Sequence, residues 1–255
     1  MKYLVAVPVF CALLLALPAS AQQIITLVAP GGARAAIEAL IPGFENKTGF
    51  QVKATFGSGL GTKAQAAKGD DFDVKVIQPP FPAVLASGNV VVKSQTPLAS
   101  VAVGVVVKKG APEPDISNAA AVKKVLLNAK SVATVDPNQG SVGGAALLAF
   151  QKMGISDQLT PKLKLYPTGG GPQKTVASGE NEVAVGPYLS DYPDPHPGLN
   201  VVGPLPPDAA TPVDITGWVS TNAQDHKASM ELLEYFKGKE AQAIWQAARV
   251  FPVTK

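Results

Sequence analysis

The sequence predicts an α/β protein of two lobes, each a mainly parallel sheet flanked by helices, joined by a hinge. Strand-like and helix-like runs alternate along the chain. Two successive sets of them share one plan, and the last strand and helices have no sheet of their own. Strand–helix–strand units of this length imply parallel strands covered by helices.

The first set opens with the β-branched run Ile24 to Val28, turns at Gly31-Gly32, and continues as a helix. Ala35, Ala36, Ile37, Leu40, Ile41 and Phe44 recur there at helical spacing up to Gly49. Gln51 to Phe56 alternates as a second strand. Gly57-Ser58-Gly59 is the next turn, Thr62 to Lys68 a short helix, and Phe72 to Ile77 a third strand ended by Pro79-Pro80.

The second set starts with Leu98 to Lys108, a long apolar run read as a crossing strand. Ala119 to Asn128 is a helix, and Ser131 to Val135 a strand. Val142 to Met153 is a helix closed by Gly154, and Lys162 to Tyr166 a short strand. Gly169-Gly170-Gly171 opens a helix to Ser178, and Glu182 to Val185 is a strand leading to Pro187-Tyr188. Tyr192 to Pro212 is crowded with proline and reads as a connector. Ile215 to Ser220 gives one more strand, and the helices Ala228 to Phe236 and Glu240 to Arg249 finish the chain. They are expected to return to the first lobe, which gives the two or more crossings a hinge needs. The expected parts are 22–98 and 204–255 for lobe 1, and 99–203 for lobe 2.

Residues 1–21 are expected to be a cleaved secretory signal peptide. Lys2 is followed by the apolar run Tyr3 to Leu17, then Pro18 and the small-x-small site Ala19-Ser20-Ala21. Cys11 is the only cysteine and leaves with this segment, so disulfides and thiolate metal sites are excluded from the mature chain. The formal net charge is +3 with the charges scattered, and aromatic residues are 6% of the chain. Neither feature suits a nucleic-acid partner.

Catalytic signals are weak. His196 lies in the proline-rich connector and His226 at the start of an exposed-looking helix, neither with a metal-ligand partner at the right spacing. Gln139-Gly140-Ser141-Val142-Gly143 lacks the leading glycine of a nucleophile elbow. Gly57 to Lys63 has neither phosphate-loop nor full dinucleotide spacing. Asp73 reads as the start of a strand, with Asp70-Asp71 in a solvated turn. No metal or other cofactor is expected.

What recurs is one device. Pro30-Gly31-Gly32, Gly57-Ser58-Gly59, Gly140-Ser141 and Gly169-Gly170-Gly171 each follow a strand and precede a helix. Helix N-termini expose unpaired N–H groups and the positive end of the dipole. A single turn of this kind is ordinary αβ geometry. Four of them, on two matching lobes, point to a cleft that holds a small anion at the carboxyl ends of the strands.

In these residues the sequence resembles the periplasmic molybdate-binding proteins of ABC importers, within the type II solute-binding proteins. The resemblance spans nearly all of the chain after residue 21. It rests on the order of loose motifs: Glu45-Asn46-Lys47-Thr48-Gly49, Phe56-Gly57-Ser58-Gly59, Asp136-Pro137 with Gly143, Ser178-Gly179-Glu180, Tyr188-Leu189-Ser190-Asp191, and Phe236 to Gln242. It implies a non-enzymatic, monomeric periplasmic receptor. Such a receptor captures molybdate or tungstate and delivers it to the importer's membrane subunits.

The same resemblance implies a ligand set. Ser58 and Gly59 would bind from the second turn and Ser141 and Val142 from the loop that starts the Val142 to Met153 helix. Gly169 or Gly170 would add a backbone N–H, and Tyr188 a phenol. The first turn departs from the family pattern: Gly31 stands where a serine is usual, with Gly32 after it, and Pro30 offers no N–H. Arg34 follows and brings charge. Two other ligand classes or chemistries therefore stand beside the oxyanion: an organic carboxylate paired with Arg34, and a secreted serine hydrolase using Ser58 or Ser141.

Overall fold

The computed structural model describes residues 23–188 and 198–252. The expected signal peptide with Cys11, His196, and the Leu189-Ser190-Asp191 motif lie outside the described residues.

The first lobe is built in chain order. β1 (Ile24–Pro30) leads through a short 3-10 turn into α1 (Arg34–Thr48), whose Ala36, Ile37, Leu40 and Phe44 are buried on one face. β2 (Gln51–Gly57), α2 (Gly59–Lys68), β3 (Val74–Ile77) and the short α3 (Pro82–Ala86) follow. β4 (Thr96–Val101) ends this stretch, and β5 (Val103–Lys108) begins the second lobe. The apolar run Leu98 to Lys108 is thus two strands in two sheets, parted at Ala102, rather than one. Hydropathy cannot see that break, because both halves are buried.

The second lobe continues with α4 (Ala119–Asn128), β6 (Val132–Val135), α5 (Ser141–Lys152) and α6 (Ser156–Leu159). Then come β7 (Leu163–Tyr166), α7 (Gly171–Ser178), β8 (Val183–Pro187) and β9 (Leu199–Pro204). β9 corrects the sequence reading of Tyr192 to Pro212 as connector. It pairs with β5 at the edge of its sheet, where prolines such as Pro204 are tolerated. β10 (Val213–Val219), α8 (His226–Lys237), α9 (Lys239–Ala247) and β11 (Phe251–Pro252) return to the first sheet.

The strand orders are β11-β4-β10-β3-β1-β2 and β7-β6-β8-β5-β9. In each sheet the βαβ units pair in parallel, β3-β1-β2 and β7-β6-β8. The strands at the crossings add antiparallel pairs, β10 with β3 and β4 and β5 with β8 and β9, so both sheets are mixed. One continuous apolar cluster includes Val101 and Val103 on either side of Ala102 and large side chains of both lobes, such as Phe44, Trp245 and Phe150.

Two close contacts fix opposite ends of the strands, one at the amino end of β3 and one at the carboxyl end of β6. The Asp73 carboxylate accepts from the Thr26 backbone N–H (2.8 Å) and hydroxyl (2.7 Å) and from the Gln224 N–H (2.7 Å). It therefore ties β1 to the segment that returns before α8, and it is a structural group. Gly143, in the first turn of α5, lies against the end of β6. A Cβ there would fall on the Val135 carbonyl oxygen, a backbone atom that cannot turn aside. Gly143→Ala is expected to destabilise the protein by about 1–3 kcal/mol through overpacking. Urea unfolding monitored by the two tryptophans would measure it, and an unchanged midpoint would refute the close approach.

Candidate functional site

The carboxyl ends of β1, β2, β3, β6, β7 and β8 surround one cavity of about 400 Å³ between the sheets. Open α/β sheets bind ligands at this end of their strands, because the chain turns there into helix N-termini. The first lobe contributes Gly31, Gly32, Arg34, Phe56, Ser58, Gly59 and Gln78 to the lining. The second contributes Val135, Gln139, Ser141, Val142, Thr168, Gly169, Gly170 and Pro187. Arg34 is the one ionisable side chain of that lining.

Each element presents its groups differently. Arg34, the first residue of α1, stands 4.6 Å from the centre of the Phe56 ring and pairs with Glu38 at 3.5 Å. Both partners of that pair are more than half exposed, so it holds the guanidinium only loosely. Ser58 caps α2, its Oγ accepting from the Gly61 N–H at 3.0 Å. That leaves its hydroxyl proton free to donate into the cavity.

At α5 the first intrahelical bond runs from the Gly144 N–H to the Gly140 carbonyl. The N–H groups of Ser141, Val142 and Gly143 precede it. α7 offers fewer donors: Pro172 has no N–H, and the Gly171 N–H is taken by the Thr168 carbonyl at 3.1 Å.

The lobes touch at the cavity's edge. The Ser141 hydroxyl donates to the Pro79 carbonyl (3.1 Å), and the Lys63 ammonium donates to the same carbonyl (2.9 Å) and to Ser141 Oγ (3.3 Å). Gly59 permits this approach. A Cβ on it would meet the Ser141 N and Oγ at 3.3 Å each and Gln78 Oε1 at 2.9 Å. Burial pushes the Lys63 pKa below its ordinary value.

Of the residues singled out in the sequence, Gly31, Gly32, Arg34, Ser58, Gly59, Ser141, Val142, Gly169 and Gly170 come together in this lining. Tyr188 does not. Its neighbour Pro187 ends β8 on the cavity side, and the alternation of side chains along extended chain sends Tyr188 the other way. Its N–H donates to the Ala102 carbonyl (3.1 Å), its ring stacks on Phe251, and the Arg249 guanidinium lies over it at 5.3 Å.

Sequence reasoning missed Phe56, Gln78, Gln139, Thr168 and the nearby Lys63. The rule that ligands meet strand ends would have found Gln78, the residue after β3. Nothing in the sequence marks Lys63, because its partners come from Pro79 and the other lobe. Among the described residues no group of three or more His, Cys, Asp or Glu could hold a metal ion.

The family model described as bacterial extracellular solute-binding protein matches residues 25–248. Aconitate isomerase from a Pseudomonas species is 28% identical over 235 residues, covering 90% of this chain and 88% of that one. The Azotobacter vinelandii periplasmic molybdate-binding protein superposes with a TM-score of 0.72 at 19% identity, over 89% of this chain and 98% of that one. PEB3 with L-phospholactate bound gives 0.68 at 18% identity, over 89% and 99%. These two structures establish the fold.

If the cavity holds an anion, Ser58→Gly should weaken binding tenfold to a hundredfold, as expected for one bond of about 1.5–3 kcal/mol to a charged oxygen. Glycine is the appropriate replacement, since Ser58→Ala would also cost about 1 kcal/mol of helix capping whereas glycine costs only a few tenths. Arg34→Ala should weaken binding by a similar factor, less so in high salt. Titration calorimetry in which neither substitution changes affinity would place the site elsewhere.

Proposed function

Because the chain belongs to the bacterial extracellular solute-binding proteins, we propose that it is a monomeric periplasmic receptor for a small organic anion carrying two or more carboxylates. Residues 1–21 direct its export, and it delivers the ligand to the membrane subunits of an ABC importer. Its lobes close by rotation about Ala102 and the 205–212 segment, with strand pairing inside each sheet preserved.

The observation that supports the organic ligand is the make-up of the cavity. One guanidinium and the donors of α2 and α5 serve negative charge. Phe56, Val135, Val142, Pro30 and Pro187 present apolar surface. About 400 Å³ falls in the range of pockets for small organic molecules. A tetrahedral oxyanion such as molybdate has no carbon skeleton to meet those walls, and Gly31 supplies no hydroxyl to it. The two organic anions named with the related proteins, aconitate and L-phospholactate, combine charge with a short carbon chain.

A second reading, an isomerase acting on an unsaturated carboxylate, is favoured by the relative of that name. The two readings share a ligand class and differ in what leaves the cavity.

On dialysed protein, trans-aconitate, citrate and succinate are expected to raise the melting temperature more than molybdate or sulfate do. At a hundredfold excess over Kd the stabilisation is about 2.7 kcal/mol. Proton NMR of trans-aconitate recovered after prolonged incubation then separates the readings: an unchanged spectrum supports the receptor, and the cis isomer supports the isomerase. A shift with molybdate alone would return the ligand to the inorganic oxyanions.

A further inference from the structure

We infer that Lys63 is a second charge serving this site from behind Ser141, a buried latch between the lobes that makes closure select dianions over monoanions. This rests on the anion-receptor reading.

Lys63 sits on α2 one turn after Gly59 and is only 8% exposed. Its ammonium meets two neutral oxygens, the Pro79 carbonyl of its own lobe and Ser141 Oγ of the other. Ser141 closes the triangle by donating to the same carbonyl. The ion pairs among the described residues are Arg34–Glu38 and Lys237–Glu234, and Lys63 belongs to neither. Burial lowers its pKa.

A cation buried among dipoles is costly unless a counter-charge comes close. Ser141 bonds to Lys63 and also lines the cavity, at the positive end of α5. An anionic group held there supplies the missing charge across one hydroxyl. Opening the cleft takes Ser141 away from Lys63 and Pro79 and lets water reach the ammonium. The closed form is therefore favoured when the ligand brings charge for Lys63 as well as for Arg34. A monoanion answers one of these cations and a dianion both.

The test compares ligands matched in size and differing in charge, by titration calorimetry on the full mature chain. The pairs are succinate with succinamate, and sulfate with methyl sulfate. Wild type is expected to prefer the dianion of a pair by tenfold or more. Lys63→Met should lose at least tenfold on the dianion and little on the monoanion, so that the preference collapses. Lys68→Met, on the exposed side of the same helix, should behave as wild type. Methionine keeps the length of the side chain and removes the buried charge, so a melting temperature no lower than wild type should accompany the loss.

Equal losses on both members of a pair, or none on either, overturn the inference, as does the absence of any dianion preference in wild type. Failure of succinate with retention of sulfate sinks the carboxylate reading, and Lys63 is then judged on the sulfate pair. If wild type binds none of the four, both readings fall.

Discussion

The structure depends on the short passage at Ala102. β4 and β5 lie on either side of this single residue, in different sheets. Because the crossing has no slack, the two sheets meet at its ends. The carboxyl ends of their parallel strands then face one another across a common space. The antiparallel pairs of β10 and β5 follow from the same constraint, since a strand entering from the other lobe arrives against the direction of the βαβ units. The cleft is thus a product of topology before any ligand-facing side chain is considered. The Tyr188 N–H bond to the Ala102 carbonyl, with the Phe251 ring stacked on Tyr188, reinforces the passage from both lobes.

The alternation of strand and helix was legible because each βαβ unit carries its own local signals. Ala119 to Asn128 is a helix in sequence and structure alike, with Asn118 capping it. Features set by distant pairing were not legible. The break at Ala102 hides in a uniformly apolar run. β9 hides among prolines and exists because β5 offers an edge. Within the cavity, residues on glycine turns could be named from the chain alone. Gln78 and Phe56, at strand ends, were within reach of the rule that ligands meet strand ends; Lys63 was not, because its place depends on how two lobes separated in sequence come together.

Ser58 shows how a residue can serve both levels at once. As an N-cap its oxygen accepts the Gly61 N–H, which fixes the side-chain rotamer. The oxygen proposed to meet the ligand is thus held in place by the helix that Ser58 starts, while its proton remains free to turn toward an acceptor. The backbone donors of α5 are placed in the same way, by a helix packed so tightly on β6 that only glycine fits at position 143. Such donors need no side-chain ordering when the ligand arrives, which lowers the entropic cost of binding.

That economy bears on the choice between binding and turnover. A site made of backbone N–H groups, one serine cap and a guanidinium, with the Lys63 ammonium one hydroxyl away, stabilises negative charge already present in the ligand. Donors that meet charge shared by ground state and transition state give affinity without rate. Catalysis would require a group that exchanges a proton at a carbon atom of the ligand. Ser141 faces the cavity, and its hydroxyl contacts a lysine. Yet the same hydroxyl is engaged with the Pro79 carbonyl of the opposite lobe. A proton committed to holding the lobes together is poorly placed to leave. The contact that makes Ser141 chemically suggestive is therefore better suited to closing the cleft than to reacting within it.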